Sequence, residues 1–106
     1  MTTITIKKGD NGRTDYKLSG HAGDSSICAG ISALLFAVVD YASRHPQAME
    51  YTAWDNGDGE ATLAIVPIDG GEGAVQFLTE LLEGAWEHIA RENPKNLQIW
   101  RDLGGK

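Results

Sequence analysis

A single cysteine, Cys28, leaves this chain unable to close an internal disulfide. It also excludes a zinc site built on several thiolates. The three histidines, His21, His45 and His88, lie far apart in sequence with no paired metal-ligand spacing. Long apolar runs are missing too. The longest, Ile27 to Val39, is interrupted by Gly30 and Ser32 and falls short of the roughly 20 residues of a membrane span. Met1 to Lys8 alternates without an apolar run, so it does not read as a signal peptide. Cations are in deficit: nine Lys and Arg face fifteen Asp and Glu, a net charge of -6. Phosphate binding needs clustered cations, so direct nucleic-acid binding is not expected; the chain can still meet a basic partner, and the charge would speed that encounter. One free thiol fits a reducing, cytoplasmic setting.

What is present is ordinary for a folded protein: 42% hydrophobic and 23% charged residues. The 106 residues suffice for one domain, 1–106, without repeats or a linker. Thr2 to Lys7 alternates, with Ile4 and Ile6 on one face; Gly9 to Gly12 is a turn; Asp15 to Ser19 alternates again through Tyr16 and Leu18. The two runs read as a hairpin. Asp24, Ser25 and Ser26 are good caps for a helix over Ile27 to Ser43, apolar nearly all round and so expected to be buried on most sides. His45-Pro46 ends it. Met49 to Asp55 and Ala61 to Val66 are strands joined by an Asn-Gly-Asp-Gly turn. Val75, Leu78, Leu82, Ala85 and Ile89 form the apolar stripe of a second helix that stops near Asn93-Pro94, and Leu97, Ile99 and Trp100 start a last strand. The order β-β-α-β-β-α-β predicts an α+β fold: a mainly antiparallel or mixed sheet with two helices packed on it.

Cys28 falls in the first turn of the first helix, where unpaired N–H groups and the helix dipole favour a thiolate, the nucleophilic form. His21 precedes it by seven residues across a glycine-containing turn that could fold the imidazole toward the sulfur. The neighbouring helix-start N–H groups could hold an oxyanion. A lone cysteine beside Ile27 and Ala29 is as readily a small core residue, and a histidine among glycines a plain loop residue. Ser32 lies one turn beyond Cys28, either bonded back to the Cys28 carbonyl or facing a site. Gly30 costs about 1 kcal/mol in a helix relative to Ala, which implies close packing against another backbone. Asp55 to Glu60 lacks the ligand alternation of a calcium loop and reads as a hairpin turn. Gly71-Glu72-Gly73 lacks a nucleotide loop's third glycine. Glu80, Glu83 and Glu87 form a negative helix face, solvated or available to a basic partner. Trp54, Trp86 and Trp100 are expected in the core or at a subunit contact.

Ser19-Gly20-His21-Ala22-Gly23, followed by Ile27-Cys28-Ala29-Gly30-Ile31-Ser32-Ala33-Leu34, resembles the ribosomal-processing cysteine protease (Prp) family. That family has Gly-His-Ala at a strand end and Cys-Ala-x-x-Ser-Ala-Leu opening the first helix, and the element order and the Asn93-Pro94 ending also agree. The resemblance implies a cytoplasmic cysteine endopeptidase that removes the N-terminal extension of a large-subunit ribosomal protein with a Cys-His dyad. It implies Cys28 as nucleophile, His21 as its histidine, Ser32 as the motif serine, a homodimer, and no metal or cofactor. The chain departs from the pattern twice. Six residues separate His21 from Cys28, fewer than is usual in the family, and Ser25 stands where the family usually has Asp, with Asp24 one position earlier. Asp24 then either orients His21 or caps the helix. A catalytically inactive, dimeric binding module for a basic protein is the alternative on the same fold. A redox-sensing thiol would have to form an intermolecular disulfide.

Overall fold

The computed structural model describes residues 1–102. Five strands, β1 Thr2–Lys8, β2 Thr14–Ser19, β3 Met49–Asp55, β4 Glu60–Pro67 and β5 Leu97–Asp102, form one sheet in the order β3-β4-β2-β1-β5. Helices α1 Ser25–Ser43 and α2 Glu72–Glu92 pack on one face. Each adjacent pair is antiparallel except β1 and β5, which run parallel because the chain crosses over the sheet through α2. This is the mixed-sheet α+β architecture that the element order predicts.

Alternation decides which face the helices cover. Ile4 and Ile6, Tyr16 and Leu18, and Ala61, Leu63 and Ile65 point inward and are buried; the residues that alternate with them face away. The register lines the inward rows up, with Ile6 opposite Tyr16 and Tyr16 opposite Leu63. Val75, Leu78, Leu82 and Trp86 of α2 close the core over them. Only one stripe of α1 is buried, Ile31, Leu35, Val38 and Ala42. The apolar composition of α1 had implied burial on most sides. The structure corrects this: a single sheet beneath and α2 alongside leave Ala29, Ala33, Phe36 and Ala37 outward. A Cβ at Gly30 would lie an ordinary 3.9 Å from the Ile89 side chain, so no backbone approach explains the glycine.

The acidic face of α2 is not merely solvated. Glu83 is buried to 6% exposure; it accepts hydrogen bonds from Tyr16 Oη at 2.7 Å and Arg101 at 2.8 Å and pairs with Lys8. Arg101 also pairs with Glu87. One carboxylate therefore fastens α2 to β1, β2 and β5. Burial opposes its charge, but the donors from Lys8, Arg101 and Tyr16 outweigh burial and hold the carboxyl below the usual carboxylate range. Burial first, then Glu83, pushes the Tyr16 hydroxyl up, so it stays a donor. Beside this network Trp86 stands edge-on to Tyr16, 5.3 Å between ring centres, and its Nε1 donates to the Ile31 carbonyl of α1 at 3.3 Å. Trp86 is a core residue as expected; Trp54 and Trp100 lie exposed at opposite edges of the sheet.

Because the folded-state pKa of Glu83 is lowered, its contribution is present above the usual carboxylate range and lost as pH falls through the lowered value. Glu83→Gln is expected to cost about 1–2 kcal/mol at neutral pH, since Lys8 and Arg101 keep access to water. Urea unfolding at pH 7 and pH 3 checks this: the gap between wild type and variant should narrow in acid, and a constant gap would contradict it.

Candidate active site

The segment after β2 is shaped by two glycines. Gly20 has φ +91° and leaves a strand whose next residue must turn back; a Cβ there would lie 2.5 Å from the Met1 carbonyl oxygen. Gly20 N–H donates to the Gly59 carbonyl at 2.8 Å, and its own carbonyl accepts from Thr2 Oγ1 at 3.2 Å. His21 follows, exposed. Ala22 is buried, and its N–H donates to Cys28 Sγ at 3.2 Å. Gly23, φ +85°, turns the chain into the N-cap.

Asp24 caps α1: its Oδ1 accepts from the N–H groups of Ser26 at 2.9 Å and Ile27 at 3.3 Å, and from Ser26 Oγ at 2.6 Å. These bonds, led by the Ser26 hydroxyl, hold its carboxyl below the usual range. Of the two roles open to Asp24, the structure displays the cap. The same bonds revise the expectation of an oxyanion site at the helix start, because two of its N–H groups are already taken and the Cys28 N–H donates to the Asp24 carbonyl at 3.0 Å. Ser25 is the first residue of α1 and exposed.

His21, Cys28 and Ser32 line one open cleft of about 220 Å³, over an apolar floor of Leu18, Ile31 and Ala61. The Ser32 hydroxyl makes no hydrogen bond among the described residues, so it is not bonded back to the Cys28 carbonyl. The opposite wall is the β3–β4 turn, with Asp55, Gly57, Gly59 and Glu60. Asp55 and Asn56 side chains hold that turn through the N–H groups of Gly57, Asp58 and Glu60. It carries Asp58 to 3.6 Å from His21 Nε2. Sequence reasoning treated Asp58 as a turn residue only; the sole available signal was the length of the turn, which says nothing of what it leans over. His21 and Cys28 thus share a cleft, with the imidazole beside Asp58 and the sulfur on the Ala22 amide. His45 stands apart, its Nδ1 2.8 Å from the Tyr41 carbonyl, and His88 is exposed on α2. No group of three or more His, Cys, Asp or Glu is placed to hold a metal among the described residues.

The model of a family described as cysteine protease Prp matches residues 1–98. Similar solved structures include the essential ribosomal processing protease Prp from S. aureus with a covalently linked product peptide: 26% identity, TM-score 0.75, covering 96% of this chain and 100% of that one. The same S. aureus protease with a substrate peptide is 23% identical at TM-score 0.75, over 96% and 100% of the two chains. SMU.848 from Streptococcus mutans is 20% identical at TM-score 0.73 over 96% of each chain. The last two likenesses bear on the fold alone. No curated protein matches the sequence.

A Cβ at Gly59 would lie 2.9 Å from His21 Nε2, and the φ of +86° strains any side chain there. Gly59→Ala is expected to displace the His21 ring and cost about 1–2 kcal/mol. The imidazole signals in an NMR spectrum and a thermal melt check both; an unmoved ring would contradict the geometry.

Proposed function

The chain belongs to the cysteine protease Prp family, and from that membership we propose that it is an endopeptidase trimming the N-terminal extension of a basic large-subunit ribosomal protein in the cytoplasm. Cys28 is the nucleophile and His21 its base. The observation that carries the reading is that these two residues, separated by a short turn, line one solvent-open cleft.

His21 takes the thiol proton as the cleft fills with substrate, when catalytic hydrogen bonds tighten. The sulfur attacks the peptide carbonyl, His21 returns the proton to the leaving amine, and water hydrolyses the thioester. Asp58 lies 3.6 Å from the His21 imidazole on the facing turn. Ser32 offers a hydroxyl one turn from the sulfur, and Asp55 and Glu60 make the opposite wall negative, which suits a basic substrate. The peptide carried by the S. aureus relative supports a protein or peptide substrate. Exposed Phe36, Phe77 and Leu81 on the helices give a homodimer an apolar surface to cover.

One observation favours the rival reading, an inactive dimeric binding module: Asp24 occupies the helix-start donors that an oxyanion would use. A single experiment separates the two. The chain is incubated with an N-terminally extended ribosomal protein and the products are weighed by mass spectrometry. Cleavage is expected, absent in Cys28→Ala and reduced about 10²- to 10⁴-fold in His21→Ala. Cleavage retained by Cys28→Ala would sink the assignment. Binding without cutting would establish the rival. Sedimentation should report a dimer that Phe77→Glu dissociates.

A further inference from the structure

We propose that Asn96 is the positioning residue of the cleft: its side-chain amide clamps the peptide loop that bears His21 and meets the Cys28 sulfur. The inference rests on reading Cys28 as the nucleophile. Only four residues, Gly20 to Gly23, connect β2 to the α1 cap. The Ala22 carbonyl accepts from Asn96 Nδ2 at 2.7 Å, across 74 residues of sequence. Ala22 is 2% exposed, so water is a poor substitute for that donor.

Asn96 is itself held on both sides. Its N–H donates to the Asn93 carbonyl and its carbonyl accepts from the Thr2 N–H, each at 2.9 Å. The amide therefore starts from a backbone anchored to the end of α2 and the beginning of β1. Gly23 passes 3.8 Å from Asn96 Nδ2, measured from where a Cβ would be, so the loop turns right beside the clamp. The two faces of Ala22 have separate tasks: its carbonyl takes Asn96, and its N–H points at Sγ. The carbonyl belongs to the 22–23 peptide plane and the N–H to the 21–22 plane, so holding the one restrains the other only through the φ and ψ of buried Ala22, and an N–H kept on the sulfur favours the anion. His21 is the adjoining residue, so the same clamp limits where the imidazole can swing. An aspartate, equal in shape but with only acceptors, would face the Ala22 carbonyl without a proton to give.

The test uses the intact chain, with Asn96→Ala and Asn96→Asp. Two readouts are taken: hydrogen exchange at the Ala22 amide, and the rate of Cys28 alkylation by iodoacetamide across pH 5 to 9. In both variants Ala22 exchange is expected to rise about two- to tenfold and the alkylation profile to move to higher pH, while the Leu82 and Trp86 amides keep their protection. An unchanged Ala22 amide and profile would overturn the inference, as would a uniform loss of protection at all three sites. If neither variant folds, the wild-type spectrum decides: the Asn96 side-chain protons should exchange more slowly than those of exposed Asn11 and Asn56, and equal rates would overturn the clamp. Neither readout needs a substrate. A chain that fails to cut therefore defeats the protease reading and leaves the clamp standing, whereas a mobile Ala22 amide in the wild type defeats the clamp even in an active enzyme.

Discussion

The buried carboxylate of Glu83 is the constraint on which the geometry depends. A charge at 6% exposure is tolerable only where donors surround it, and Lys8, Tyr16 and Arg101 supply them from three different strands. That requirement sets both the position and the rotation of α2. One turn on, Trp86 is then directed at Tyr16 and at the Ile31 carbonyl, and α1 is braced against α2 near its own start. Cys28 lies three residues before that brace. The ion network at one end of the sheet and Cys28 at the other are thus connected through two turns of helix and one indole.

The cleft itself is assembled from short, strongly determined pieces. Positive φ at Gly20, Gly23 and Gly59 turns the chain tightly, and at Gly20 and Gly59 it lets segments approach where a side chain would collide. Asp24 ends the loop by capping α1, so the turn between histidine and cysteine needs few residues. The β3–β4 turn, organised by Asp55 and Asn56, then supplies a wall that is negative and close to His21. The short loop and the acidic wall together border an open cleft.

Two surfaces remain uncovered. The outward sides of α1 and α2 carry Phe36, Phe77 and Leu81. The sheet face opposite the helices carries one register row running Trp54, Thr62, Lys17, Thr5 and Trp100. The helical face sets these apolar side chains among charged and polar neighbours such as Gln76 and Glu80; the sheet face mixes threonines and a lysine between its two indoles.

Local chemistry determined a great deal. Alternation at Ile4, Ile6, Tyr16 and Leu18 specified the first hairpin, the Leu78-Leu82 stripe specified α2, and the Gly-His-Ala and Cys-Ala words pointed to His21 and Cys28, because periodicity and short motifs are properties of neighbouring residues. The parallel pairing of β1 with β5, the outward face of α1, the burial of Glu83 and the meeting of Asp58 with His21 were decided only in three dimensions. Each joins residues tens of positions apart, and no local pattern encodes which helix face a single sheet will cover or which turn will lean over a cleft. The clearest instance is Asn96, unremarked in the chain and brought to Ala22 solely because β5 begins beside β1.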